Sequence, residues 1–246
     1  MKIKKTALAL GSALMLFSTT LTAQEQPWSF GAKVSPSWSW IRGLGDKKFG
    51  DGDSDTSGRL AFSGGLTAGY AFHENVGVGL EVLYAELGGE AKEKLAAGEK
   101  NKKAQQFRIR THNLVIPMMV KFFPMGCDPE EGILDLHIGL QGEIPLFGVT
   151  VEKSTKSDES KLEDDKNFKK EYLAPMTASI IAGVGYEFPE IGLTLESRYS
   201  FGFVDILKGE GEAKKYKEEN GLKDKELSNQ SLTVSLGYNF ARLLMD

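Results

Sequence analysis

From Trp28 onward the chain alternates apolar and polar residues with the period of a strand. Trp28, Phe30, Ala32, Val34, Pro36, Trp38 and Trp40 share one parity, while Ser29, Gly31, Lys33, Ser35, Ser37 and Ser39 share the other. Such alternation marks an extended segment whose two faces meet different surroundings. The period returns with Leu60, Phe62, Leu66, Tyr70 and Phe72, then with Val76, Val78, Leu80, Val82 and Tyr84. It recurs with Leu114, Ile116, Met118 and Val120 up to Phe122, and later from Leu134 to Ile144, Ile180 to Phe188, Leu193 to Phe203 and Leu232 to Phe240. No apolar run past Trp28 reaches the roughly 20 residues that a membrane-spanning helix needs.

Eight strands are thereby predicted, and the segments between them alternate in kind. After the first, third, fifth and seventh come long charged stretches: one containing GDGDSDTSG (50–58), then GGEAKEKLAAGEKNKKAQQ (88–106), EKSTKSDESKLEDDKNFKKE (152–171) and KGEGEAKKYKEENGLKDKE (208–226). The others are shorter: HEN (73–75), PMGCDPEEG (124–132) and PEIG (189–192). In an up-and-down meander all long connections leave from one end and all short ones from the other, as the outer loops and periplasmic turns of outer-membrane barrels do. The fold class expected is all-β: an eight-stranded antiparallel up-and-down transmembrane β-barrel.

Parity alone does not say which face looks outward, because a soluble lipocalin-like barrel is the inverse case. The polar face decides. A water-exposed exterior should be roughly a quarter to a third charged, whereas this face is mostly Gly, Ser, Thr and Ala with isolated charges. The apolar face also ends in aromatics at both heights. Trp28, Phe72, Phe122, Tyr186, Phe188, Tyr238 and Phe240 fall at the turn end, and Trp38, Trp40, Phe62, Tyr84, Phe201 and Phe203 toward the loop end. Paired aromatic girdles are what amphipathic rings form at the two headgroup levels.

The composition agrees, since 28 glycines and an aromatic content of 10% suit glycine-relieved strands better than helices. The chain opens MKIKKTALALGSALMLFSTTLTAQEQ, a charged start, a short apolar run and a small-residue end. That is the pattern of a secretory signal peptide over residues 1–23, which leaves 24–246 as the barrel domain. Cys127 has no second cysteine to pair with inside the chain, so a free thiol is expected. The formal charge of -4 gives no reason to expect a nucleic-acid partner.

The segments NLVIPMMVKFFP (113–124), IIAGVGYEF (180–188), LTLESRYSFGF (193–203) and SLTVSLGYNF (231–240) resemble the strands of the PorT-like outer-membrane β-barrel family of Bacteroidetes. The resemblance spans essentially the whole mature chain and implies a small eight-stranded outer-membrane barrel. It implies no common activity. One departure is that the chain runs on as ARLLMD past Phe240, whereas many such barrels end on the aromatic itself.

Candidate chemistry is sparse. Asp51, Asp53 and Asp55 have the spacing that opens a calcium loop, but Thr56 stands where the turn glycine belongs and Phe62 where the closing glutamate belongs. Weak divalent binding or none is expected there. His112 lies near the loop-end interface, where Glu86 could orient it, yet no serine of that face stands beside it to serve as a nucleophile. A lipid A-modifying enzyme is therefore the alternative and a non-enzymatic barrel the expectation, with no cofactor. Arg42, Arg59, Arg108, Arg110 and Lys208 cluster where strands emerge at the loop end. Guanidinium forks at that height suit the phosphates of outer-leaflet lipid and lipopolysaccharide.

The inward parity supplies Lys33, Glu81, Lys121, Asp135, His137, Gln141, Glu143, Glu187, Glu196 and Arg198. The strands of Glu81 and Arg198 lie across an eight-stranded barrel from each other, and those of Lys121 and Asp135 form one hairpin. Both pairs should meet and plug the lumen. Acids outnumber bases, which leaves a carboxyl such as Glu143, near the mouth, to be hydrated or protonated. The balanced charges of the long connections point to solvated, partly helical or mobile loops, a place for a surface protein or glycan partner. The barrel-assembly machinery is the partner expected during biogenesis.

Overall fold

The computed structural model describes residues 28–43, 54–93, 106–127, 132–153, 172–188, 191–207, 210–219 and 226–241. The elements are β1 (Trp28–Arg42), β2 (Ser54–Ser57), β3 (Arg59–His73), β4 (Val76–Glu93), β5 (Gln106–Phe122), β6 (Ile133–Lys153), β7 (Thr177–Phe188), β8 (Leu193–Gly202), α1 (Gly211–Glu219) and β9 (Ser228–Asn239). From β3 on, each strand pairs antiparallel with the next, β1 pairs with β3, and β9 returns to β1 from Gly31↔Asn239 to Arg42↔Ser228. The result is a closed eight-stranded antiparallel up-and-down barrel. Closure removes both sheet edges, and with them the unpaired backbone groups that lipid cannot satisfy.

The apolar parity faces outward. Val34 is 63% exposed and Leu66 64%, while Lys33 and Ser35 beside Val34 are at 7% and 1%. An apolar exterior around a polar interior excludes the soluble-barrel alternative, whose arrangement is the reverse. The girdles assemble as ring contacts at both ends: Trp28 with Tyr70 at 4.6 Å and Tyr238 with Phe240 at 5.8 Å below, Trp40 with Tyr199 at 6.1 Å above. Gln230 joins the upper girdle, its Oε1 accepting from Trp40 Nε1 at 2.9 Å and from the Tyr199 hydroxyl at 3.0 Å.

Three expectations need correction. The strands run past the alternating stretches, with β4 reaching Glu93, β5 starting at Gln106 and β6 reaching Lys153. Above the membrane a strand needs only its backbone ladder, so pairing continues where the hydrophobic alternation has ended. The acidic stretch is likewise not all loop, because Ser54–Ser57 pairs with Glu90–Glu93 of β4 as β2, which prolongs β3 past Gly58. The inner face is also not uniformly small and polar. Leu83, Ala85, Leu87 and Val115 form a buried apolar cluster inside the barrel, since a lumen this narrow must be packed with side chains.

The loop end is covered by chain. Ser39 of β1 donates its hydroxyl to the Gly88 carbonyl of β4 and accepts from the Gly88 amide, both at 3.0 Å, although β3 lies between these strands in the sheet. β4 therefore leans inward at Gly88–Gly89. Gly88 holds φ 149°, and a Cβ there would sit 2.1 Å from the Ile109 carbonyl oxygen. A Cβ on Gly89 would come within 2.7 Å of the Ile41 amide nitrogen. Ile41 and Ile109 then meet Leu173, Ile206, Leu207 and Leu227 in a buried cluster, with Tyr172 packed against it. Helix α1 belongs to this end as well, with Ala213 wholly buried and Lys217 paired to Asp205.

Gly88→Ala should cost about 1–3 kcal/mol through backbone strain and the carbonyl clash. Urea unfolding in lipid vesicles measures this, and an unchanged midpoint would contradict the inward lean of β4.

Candidate functional site in the lumen and at the loop-end rim

Arg198 of β8 and Glu81 of β4 face each other across the interior. The guanidinium spans the carboxylate with two bonds, NH1 to Oε2 at 3.0 Å and NH2 to Oε1 at 2.9 Å. Lys33 of β1 donates to Glu81 Oε1 at 2.8 Å and to Glu196 Oε1 at 3.1 Å, and Arg198 NH2 also reaches Glu196 Oε1 at 2.8 Å. These four side chains come from three strands that are not mutual neighbours except β8's own pair, so the cluster ties opposite walls together. A second group adjoins it. His137 Nδ1 lies 2.7 Å from Asp135 Oδ1, Lys121 Nζ lies 3.5 Å from Asp135 Oδ2, and His137 Nε2 is 4.0 Å from Glu196 Oε1.

Glycine makes room for these long side chains. Gly183 stands in register between His137 and Arg198, and Gly185 between Asp135 and Glu196. A Cβ on Gly183 would fall 2.4 Å from His137 Nε2, and one on Gly185 would fall 2.3 Å from Asp135 Oδ2. The inward glycines of β7 are thus the complement of the charged residues on β6 and β8.

The surplus acids lie outside the charged cluster. Glu143, expected to be hydrated or protonated, is only 1% exposed. Four neutral donors surround it instead: Gln141 Nε2 at 3.0 Å, Ser179 Oγ at 2.6 Å, Thr177 Oγ1 at 3.0 Å and Asn229 Nδ2 at 3.1 Å. Hydrogen bonds to a carboxylate substitute for lost hydration without a counter-charge. Glu187 receives the Asn239 amide on both oxygens at 3.2 Å. The shell around Glu143 was not singled out from sequence, although Glu143 and Thr177 are direct register partners on the inward parity.

At the rim, Glu86 receives both Arg59 and Arg110, the latter through Nε at 3.1 Å. That corrects the role foreseen for Glu86 as the group orienting His112. His112 Nδ1 instead lies 2.6 Å from the Tyr84 hydroxyl, and its ring stacks on Phe147 at 4.2 Å. Arg59 is largely buried, and its NH1 has no partner among the described residues. Arg42 is exposed and sits over the Phe201 ring at 5.0 Å. Arg108 takes its place in β5 opposite Glu90 and Val151. Lys208, Asp51 and Asp53 lie outside the described residues, and Asp55 falls in β2 opposite Lys92. Cys127 is buried, its Sγ 3.9 Å from the His73 carbonyl oxygen.

A closed barrel with an apolar exterior, two aromatic girdles and a paired polar interior is the design of an outer-membrane β-barrel. Residues 22–208 match the family described as outer membrane protein beta-barrel domain, and the chain belongs to that family. No curated protein sequence matches it. Among solved structures it is similar to Neisserial surface protein A, at 12% identity and a TM-score of 0.42, over 87% of this chain and 100% of that one. It is also similar to Ail, the attachment invasion locus protein of Yersinia pestis, solved with the heparin analogue sucrose octasulfate, at 9% identity and a TM-score of 0.39, over 87% of this chain and 100% of that one. OprG from Pseudomonas aeruginosa matches at 12% identity and a TM-score of 0.39, over 86% of this chain and 96% of that one.

Arg198→Ala removes the fork while leaving Glu81 and Glu196 buried, which should destabilise the barrel by about 3–5 kcal/mol. Arg198→Lys should lose less, because it keeps the charge but not the two-pronged geometry. Equilibrium unfolding of both variants in vesicles checks the order, and equal stability of wild type and Arg198→Ala would refute it.

Proposed function

We propose that this protein is a non-enzymatic outer-membrane barrel of the PorT-like kind found in Bacteroidetes. Residues 1–23 are its cleaved signal peptide, and the barrel-assembly machinery inserts it. Its rim holds phosphorylated glycolipid of the outer leaflet, and its charged loops carry an adhesive, surface-structural or complex-accessory role toward a protein or glycan partner.

The observation that carries the glycolipid reading is the cluster of Arg59, Glu86 and Arg110. Two guanidinium groups share one carboxylate, so one positive charge is left over, and Arg59 NH1 has no hydrogen-bond partner among the described residues. The cluster lies beside Tyr84 and His112 of the loop-end girdle, since Glu86 and His112 are register partners. A phosphate there gains a charge-assisted bond that water supplies less well in a partly buried setting. The non-enzymatic reading is supported by how His112 is held. Its Nδ1 is engaged by a tyrosine hydroxyl and its ring by Phe147, while Glu86 serves arginines.

Replacing Arg59 and Arg110 together by Gln should at least halve the phosphorylated glycolipid that co-purifies with the barrel, as counted by mass spectrometry. The unfolding midpoint should fall, because Arg59 and Glu86 are only 10% and 19% exposed and the double variant leaves Glu86 short of its partners, but the variant should still give the folded, heat-modifiable barrel. Equal glycolipid in the variant would overturn the contact.

A further inference from the structure

The barrel wall is interrupted at one seam. The ladder between β3 and β4 stops at Ser63↔Ala85, and pairing with β4 resumes only at Ser57↔Glu90 on β2. Residues 58–62 therefore stand against 86–89 with no register partner across the seam. The ladders on either side continue at this height, β1 with β3 as far as Ser39↔Arg59 and β4 with β5 through Glu86↔His112 to Lys92↔Gln106. The break is local to one seam rather than a fraying of the whole loop end.

Two contacts hold the seam apart. On the inside, the Ser39 hydroxyl engages both the amide and the carbonyl of Gly88, which draws β4 toward β1. Across the seam, Arg59 reaches Glu86. Arg59 shares the inward parity of Ala61 and pairs in register with Ser39, whereas Glu86 shares the lipid-facing parity of Val82 and Tyr84. The two can meet only where no ladder stands between them. Closure is nevertheless compatible with the register. Carried on from Ser63↔Ala85, it sets Leu60 against Gly88 and Arg59 against Gly89, and Ser57 and Gly58 then share Glu90 as a single β-bulge. Unpaired backbone beside lipid is costly, so the seam gains by zipping wherever nothing holds it open.

We propose that this seam is a two-state hinge set by the lipid phosphate at the rim. The inference rests on the glycolipid reading above and adds what binding does. A phosphate on Arg59 and Arg110 favours the parted form, because it supplies the acceptor that Arg59 NH1 lacks only while Arg59 stays in the seam. Zipping returns that side chain to the inward parity, away from the headgroup. The phosphate thus binds one form better than the other, which is what shifts an equilibrium. β2 rides on the outer end of β4, so the hinge also moves the base of the first two long connections and ties their display to the surrounding lipid.

The test places the full-length protein in phosphatidylcholine nanodiscs that contain a minor share of monophosphoryl lipid A, its phosphate-free form, or neither. Retained glycolipid is counted by mass spectrometry, and hydrogen exchange is read over residues 58–62. Ligands ordinarily slow exchange, whereas a phosphate that keeps the seam parted should speed it about tenfold relative to the phosphate-free lipid. Sodium phosphate added to plain phosphatidylcholine discs should not reproduce the effect. Ser39→Ala frees Gly88 and should leave residues 58–62 slow in every lipid, and Arg59→Gln should remove the dependence on lipid. The wild-type comparison decides even if neither variant gives the heat-modifiable folded band. Retained phosphorylated lipid with unchanged or slower exchange would refute the hinge while leaving the glycolipid contact standing, and no retained lipid would overturn both. The same acceleration by sodium phosphate alone would overturn the lipid as effector.

Discussion

An eight-stranded circumference leaves an interior that only side chains can fill, and any charge placed there must find its partner within that space. The fork of Arg198 on Glu81, shared with Lys33 and Glu196, is how this chain meets the constraint. It joins β1, β4 and β8 across the lumen, so it fixes which walls face each other as well as what fills the space between them. The glycines of β7 follow from it, because Gly183 and Gly185 leave the volume that His137 and Asp135 occupy. The neutral shell of Glu143 follows too, since the cations are already committed and a further carboxylate has only hydroxyls and amides to turn to.

The exterior answers the opposite solvent. Lipid accepts Val34, Leu66 and Ile138 at more than half exposure, and the aromatic contacts at both ends set where that belt stops. Beyond the belt the strands keep pairing in water and lean inward at Gly88, which lets apolar residues from β1, β5 and the long connections collect over the mouth. The barrel is therefore a filled post rather than a pipe. At one end lies a guanidinium-rich rim and at the other a small cavity lined by Lys33, Lys121, Glu81, Asp135, Glu187 and Glu196.

Much of this was legible in the sequence because the period-2 pattern in a barrel is enforced by two solvents at once. The runs from Trp28 to Trp40 and from Leu232 to Phe240 read directly as strands with the correct outward face. The opposition of Glu81 and Arg198 could be anticipated from strand order alone, and that of Lys121 and Asp135 from their hairpin. The rest was hidden for identifiable reasons. Leu83, Leu87 and Val115 lie in stretches where both parities are apolar, so periodicity could not say that the lumen was partly greasy. The pairing of β2 with β4 and the helix α1 lie in charged segments where alternation carries no signal. Glu86 and His112 are register partners, which made a catalytic pairing plausible, but the choice between them was made by Arg59 and Arg110, whose reach no linear pattern encodes.

The central claim is that paired charges and packed apolar groups block the lumen. Planar-bilayer recording of the purified full-length barrel tests it most directly. Wild-type protein should insert without any steady conductance in symmetrical potassium chloride, and well-defined ohmic channels from the same preparation would contradict the filled lumen.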